Sequence, residues 1–421
     1  MPAAGGLRAH LRDPLHRTGY LLVLGAMVSS LLGFVFWALA TRAYPARVVG
    51  LNSAAISAMV FVSGVCQLGL NAVLVRYLPR AGRAARLLVV RSYAITVALS
   101  LLAGGVAAAT SSLWSPRLAF LGAQPGWFAA FVAGTALWTL FTLQDSVVIG
   151  LNATGWVPIE NSLYQLVKIG LLAAVAGVLP FAGLFVAWNA PLIVAVAVVS
   201  GYIFARLLPR HAERDPDGSA DRSQILSVAR GNYGGTLLSL GSTMLLPILV
   251  TNIAGAAQTA YFYLPWTIST GLQLVALSMT TSLTVEAARN EARMRELTRR
   301  ALRLTFVLVV PLAALTALAA APLLQAFGAG YAEEGTALLR MLAAAAIPNV
   351  VVMLGLAVSR IEHRGGMVLA IQAAQFVLVI GLSVALVPDV GIDGVGIAWL
   401  VGQCTVAVGL LAGILRPWLL V

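Results

Sequence analysis

The chain has 421 residues, 60% of them hydrophobic and only 10% charged, with a mean hydropathy of +0.92. This composition excludes an ordinary water-soluble domain. The formal charge of +12 is carried almost entirely by arginines that flank apolar stretches. The positive-inside rule explains that distribution without a nucleic-acid partner.

The N-terminal segment MPAAGGLRAHLRDPLHRTG is basic and leads into an apolar run too long for a signal-peptide core, so it is expected to be a retained cytosolic tail. A bilayer core about 30 Å thick needs roughly 20 apolar residues for each helical crossing. Candidate spans fall at 18–40, 50–74, 88–109, 127–149, 159–179, 183–205, 225–252, 259–285, 302–321, 336–358, 366–387 and 393–415. The expected fold is an all-α polytopic membrane protein of about 12 transmembrane helices.

Threaded from the cytosol, these spans place Arg8, Arg12 and Arg17, then Arg76 through Arg91, then Arg206 through Arg230 on the inner side. Arg289 through Arg303, Arg360, Arg364 and Arg416 follow them there. Glu333, Glu334, Asp389 and Asp393 fall in outer loops, so both termini are expected to be cytosolic.

The segment RHAERDPDGSADRS reads as a solvated linker. It divides the chain into an N-terminal six-helix bundle over 1–207, a linker over 208–223 and a C-terminal six-helix bundle over 224–421. An offset of about 208 positions pairs Gly33 with Gly241, Pro180 with Pro388, Gly183 with Gly391 and Pro209 with Pro417. A pseudo-twofold repeat of parallel halves follows, with substrate held between the lobes.

Pro247, Pro265, Pro311 and Pro348 lie inside predicted spans, where each frees a backbone carbonyl and acts either as a fixed kink or as a hinge. After the eighth span, EAARNEARMRELTRRALR places Glu291 and Glu296 four residues before Arg295 and Arg300, the pattern of an exposed helix along the cytosolic surface.

Catalytic patterns are nearly absent, and no enzymatic activity and no cofactor are expected. The only lysine, Lys168, has no glycine-rich turn before it, which removes a P-loop. His10, His16, His211 and His363 are scattered, and Cys66 and Cys404 lie in opposite halves, so neither a metal site nor a disulfide framework is expected. Asp215 and Asp217 resemble the acidic pair of some glycosyltransferases, but they stand in a short linker.

The informative charges sit in the fourth and fifth spans. An ion at mid-membrane costs about 2.5 to 3.5 kcal/mol on insertion scales, so Asp145 and Lys168 should face each other or a wet cavity. They lie roughly 8 Å and 14 Å into antiparallel helices at about 1.5 Å per residue, depths that permit an ion pair. Asn161, Tyr164, Gln165 and Lys168 recur at helical spacing and make one polar face. Glu160, nearer the cytosolic mouth, is explained by hydration. Arg76, with Gln67 and Asn71 above it, could fork onto a phosphate or simply anchor a helix end. Arg42 and Arg340 lie near outer ends, where positive-inside logic gives no reason for them.

Three blocks carry a family likeness: GLNSAAISAMVFVSGVCQLGLNAVLVRYLPR, FTLQDSVVIGLNATGWVPIEN and GIDGVGIAWLVGQ. They resemble polysaccharide flippases of the multidrug, oligosaccharidyl-lipid and polysaccharide exporter superfamily. The resemblance implies a V-shaped pair of bundles in the bacterial plasma membrane that rocks between inward and outward states. It implies a lipid-linked oligosaccharide as substrate, glycan-assembly proteins as partners and a coupling proton or sodium ion. A cationic cavity for the sugar diphosphate would then draw on Lys168, Arg42, Arg76 and Arg340, with Asp145, Asn161 and Gln165 beside Lys168. A cation-coupled multidrug exporter of the same architecture, with Asp145 binding the cation, is the alternative, and a membrane glycan polymerase or transferase is a third.

Overall fold

The computed structural model describes residues 14–214, 222–289, 294–413 and 415. The basic N-terminal tail, the aspartates Asp215 and Asp217, Glu291 and the Arg416–Pro417 pair lie outside the described residues. Among those described, no strand occurs and twelve helices of 20 residues or more follow one another. They are α1 (Pro14–Ala43), α2 (Ala46–Cys66), α3 (Ala85–Ala109), α4 (Pro125–Gly150), α5 (Trp156–Val175) and α6 (Gly183–Tyr202). The second set comprises α7 (Arg222–Ile253), α8 (Ala256–Arg289), α9 (Met294–Leu318), α10 (Ala329–Ile361), α11 (Gly365–Val390) and α12 (Asp393–Ala412). Each corresponds to one span expected from hydropathy, and the chain is a multi-pass membrane protein.

Nine of the twelve are long and apolar enough, over their described residues, to cross a membrane. Helix α1 adds an apolar stretch over Met27–Ala43. Although its placement is fully described, α5 falls outside the nine, because Glu160, Asn161, Gln165 and Lys168 lower the hydropathy of a helix that is otherwise apolar. Of the segment expected as a surface helix after the eighth span, residues 286–289 end α8 and residues 294–303 open α9, and residues 290–293 lie outside the described residues. Pro247, Pro265, Pro311 and Pro348 each lie within a continuous helix.

The chain forms two compact units. The first comprises residues 1–39, 62–111 and 119–233, and the second 40–61, 112–118 and 234–421. In the first unit, α1 passes α5 through a small residue at every fourth position, Gly25, Ser29 and Gly33. A methyl group at Gly25 would collide with the Pro158 ring, and one at Gly33 would lie 3.5 Å from the Gln165 amide nitrogen. That nitrogen donates to the Ser29 carbonyl at 3.1 Å. Close backbone approach through small residues substitutes for hydrophobic force between helices that are already surrounded by hydrocarbon. A hydroxyl ladder does similar work between α2, α3 and α4: Thr139 donates to Ser63 at 2.9 Å and lies 2.8 Å from Ser100.

In the second unit α10 is central, with Leu338, Leu342 and Ala345 packed among Leu246, Phe262, Trp266 and Trp399. The indoles of Trp266 and Trp399 meet edge to face, with centroids 4.7 Å apart. The early part of α2 belongs to this unit, and at Gly50 its backbone lies against the Ala256 carbonyl of α8 so closely that no side chain fits. Gly50→Ala should therefore lower stability by about 1 to 3 kcal/mol through overpacking. By contrast, Gly170 on α5 has open space around it, and Gly170→Ala should be neutral or stabilising by up to about 1 kcal/mol. Thermal unfolding of the two variants in detergent checks this contrast; equal midpoints would contradict the packing described.

Candidate functional site

The polar face of α5 turns into the first unit. Glu160, Tyr164 and Lys168 are buried along it, and Asn161 and Gln165 are half-buried. Side chains four apart on a helix lie above one another, so these residues form a column running through two turns. What surrounds the column differs sharply between its upper and lower ends.

At the upper end, Lys168 is 1% exposed and its ammonium sits among aromatic faces. The Nζ atom lies 3.8 Å from the centroid of Trp188 on α6, 4.3 Å from that of Phe36 on α1 and 5.2 Å from that of Tyr164 one turn below. Further rings brace this box. Trp37 and Trp138 each stand 5.9 Å from Trp188, and Trp138 also contacts Tyr164 at 6.3 Å. The Tyr164 hydroxyl donates to the Trp188 carbonyl at 2.8 Å, fastening α5 to α6 on the same level. A desolvated cation over a ring face gains about 2 kcal/mol or more per good contact, and three such contacts offset much of the cost of removing an ammonium from water.

The lower end is acidic. Asp145 on α4 receives only long contacts from the Asn161 amide, at 3.4 and 3.5 Å, because that amide also donates to the Val157 carbonyl at 3.0 Å. Glu160 is buried, and neither of its oxygens has a hydrogen-bond partner among the described residues. The Asp145 carboxylate and the Tyr93 hydroxyl of α3 are its electrostatic neighbours. The Tyr93 hydroxyl is buried beside the Gln144 side chain. Gln144 closes the cluster on the α6 side, donating to the Val196 carbonyl at 2.9 Å and to Ser200 at 2.7 Å.

Asp145 and Lys168, whose depths permit an ion pair, do not form one; the ion pair between Arg364 and Glu362, at 3.1 Å, lies in the second unit. The lysine has turned to the rings, and the acids are left without a counter-charge. Glu160, expected to be hydrated, is enclosed instead, because its turn of α5 faces α3 and α4 rather than a loop. Of the remaining sequence candidates, Gln165 ties α5 to α1 through Ser29. Arg76 is exposed and lies 5.8 Å from the Tyr77 centroid. Above it, Gln67 donates to Thr142 at 2.8 Å and Asn71 to Gln67 at 2.6 Å. Arg42 and Arg340 are in the second unit, both exposed, donating to the carbonyls of Ala326 at 3.1 Å and Ala317 at 3.3 Å. The structure thus places Asn161, Gln165 and Lys168 on one column of α5, sets Asp145 of α4 beside its lower end, and leaves the three arginines outside it.

Phe36, Trp138, Trp188 and Tyr93 complete the site without having been singled out in the sequence, where rings in apolar spans look like ordinary packing. The second unit holds a different, uncharged cluster, in which Gln375 donates to Gln403 at 3.1 Å. Asn349 is also buried there, and its amide has no partner among the described residues.

Compared with known proteins, the sequence matches no family model and no curated protein. Its structure is similar to that of an inward-facing multidrug resistance MATE family transporter of the MOP superfamily, with a TM-score of 0.69 and 16% identity over 92% of this chain and 94% of that one. The fold is that of the MATE transporters. A MOP superfamily transporter from Pyrococcus furiosus, described as having a binding pocket of reverse polarity, gives a TM-score of 0.69 and 18% identity over 96% of both chains. A MATE transporter from Vibrio cholerae gives 0.63 and 19% over 97% of this chain and 98% of that one.

The aromatic box makes a stability prediction. Lys168→Met keeps the stem volume and removes a buried charge, so its unfolding midpoint should equal or exceed that of the parent. Trp188→Ala removes the nearest ring and should cost about 3 to 5 kcal/mol. Thermal unfolding in detergent checks both, and a Lys168→Met variant as damaged as Trp188→Ala would contradict a cation held only by ring faces.

Proposed function

We propose that this protein is a cation-coupled exporter of the MATE type, in which Asp145 and Glu160 form the coupling site in the first helical unit. The observation that carries the reading is the pair of intramembrane carboxyl groups left without a counter-charge while the one lysine of the chain is held by rings. Ionisable groups inside a bilayer are expensive and mark ion or proton pathways. Two adjacent acids that share no cation are suited to taking up and releasing a proton. The MATE fold supports the same reading, since its solved examples include multidrug transporters captured facing inward and facing outward.

Flipping of a lipid-linked oligosaccharide in a bacterial plasma membrane receives less support. A sugar diphosphate needs several cations presented together, and Lys168 is enclosed, Arg76 is exposed elsewhere in the first unit, and Arg42 and Arg340 are in the second unit, each donating to a backbone carbonyl. Both readings share alternating access, a cytosolic placement of the basic loops and a passive role for the bilayer, and neither requires an enzymatic step.

In proteoliposomes with an imposed proton gradient, the parent should drive ethidium transport. Asp145→Asn and Glu160→Gln should each reduce the rate by roughly a hundredfold, the size of effect expected when a functional proton carrier is removed. Undiminished transport in both variants would contradict the coupling site, and transport of a polyprenyl-diphosphate sugar without any of ethidium would restore the flippase reading.

A further inference from the structure

The inner end of the first unit, so oriented by the positive-inside rule, carries a charged surface that plays no part in the coupling site. After α2 the chain runs through a short helix, Leu70–Tyr77, and two single turns, Leu78–Arg80 and Gly82–Ala84, before α3 begins. Farther along, α6 closes in a π-helical turn, Ile203–Leu207, and continues as the short helix Leu208–Arg214. That helix packs against the Gly82–Ala84 turn and the start of α3. Leu208 is buried with Leu78, Ala81 and Ala85 in one apolar cluster. Two segments distant in sequence are thereby folded together, and the arginines they carry converge.

Arg80, Arg83, Arg86, Arg206 and Arg210 are all exposed around that cluster. None of the five has a hydrogen-bond or ion-pair partner among the described residues. The one carboxylate in residues 70–91 and 203–214, that of Glu213, is exposed and makes no ion pair either. Guanidinium groups gathered without carboxylates repel one another. The positive-inside rule places arginines on one side of a membrane, but it does not require them to be gathered, unpaired, over a shared apolar cluster. The surface beside them is hydrocarbon: Leu87 and Val90, in the first two turns of α3, are 50% and 44% exposed. Guanidinium followed by an exposed apolar face matches a phospholipid read from phosphate to acyl chain, and a soluble anion would make no use of the second part.

We propose that this face binds an anionic phospholipid, with Arg83, Arg206 and Arg210 on the phosphate and Leu87 and Val90 against the acyl chains. Guanidinium groups fork onto phosphate oxygens, and clustered basic residues at the inner surface of a membrane attract anionic headgroups. The lipid supplies the counter-charge that the fold itself lacks, and it ties the inner ends of α3 and α6 to the plane of the phosphates. The site depends on neither the exporter nor the flippase reading.

The experiment is native mass spectrometry of the purified protein in detergent, titrated with phosphatidylglycerol or with zwitterionic phosphatidylcholine of the same acyl chains. The parent should bind its first phosphatidylglycerol about tenfold or more tightly than phosphatidylcholine, since each arginine that meets the phosphate contributes about fivefold. Arg83→Gln combined with Arg210→Gln should remove that preference. Arg300→Gln combined with Arg303→Gln, on the exposed start of α9 in the second unit, should keep it. Without lipid, the first pair should unfold at or above the parent's midpoint because it relieves repulsion; Arg80→Gln with Arg206→Gln takes its place should it not fold. A parent without the preference, a preference that survives in the first pair, or one that both pairs lose alike, as general positive charge would dictate, overturns the proposal. So does displacement of bound phosphatidylglycerol by inorganic phosphate at equal concentration, which would assign the face to a soluble anion.

Discussion

One buried ammonium organises the first unit: Lys168 is enclosed in protein at membrane depth and is held by ring faces rather than by a carboxylate. A charge in that position is costly unless it is compensated. Compensation by rings draws Phe36 of α1, Tyr164 of α5 and Trp188 of α6 to one level. Three helices are thus located by a single nitrogen atom. The choice of rings over acids also leaves Asp145 and Glu160 unneutralised on the level below, and the functional reading rests on that separation.

The rest of the packing makes this arrangement attainable. Helix α1 comes near enough to bring Phe36 over the lysine because Gly25, Ser29 and Gly33 remove side-chain bulk along the face it presents to α5. Gln165 then bridges the two helices through the Ser29 carbonyl. On the other side, Gln144 and the Tyr164 hydroxyl tie α4 and α5 to backbone carbonyls of α6. These are directional bonds in a medium where hydrophobic force does not discriminate between helix and lipid, so they determine which faces meet. The second unit relies more on indole and aliphatic packing around α10, with a neutral amide cluster in place of charges.

Much of the architecture is legible in the sequence because bilayer thickness sets a length scale that apolar runs either meet or do not. All twelve expected spans correspond to helices, and even α5, with Glu160 and Lys168 within it, was readable from its length. Periodicity likewise placed Asn161, Tyr164, Gln165 and Lys168 on one face. What periodicity could not supply was the partner. Depth along a helix is countable from sequence, but the direction in which a face points depends on crossing angles and on small residues elsewhere, such as Gly25. Hence Asp145 and Lys168, placed at compatible depths, have different neighbours. Phe36 and Trp188 were invisible for a different reason, since an aromatic ring in an apolar span carries no mark that separates packing from cation binding. Arg42 and Arg340 were noticed for lying near outer helix ends, and the structure supplies a local partner for each in a backbone carbonyl.

The central claim, that Lys168 is compensated by rings and not by Asp145, is tested most directly by nuclear magnetic resonance of the protein labelled with isotopic lysine, which contains a single such residue. Ring currents from Trp188 and Phe36 should displace the Hε and Cε signals of Lys168 strongly upfield; Trp188→Leu should return them towards ordinary positions, and Asp145→Asn should leave them where they are. Signals at ordinary lysine positions in the parent, or signals that move on Asp145→Asn as those of an ion pair would, contradict the account.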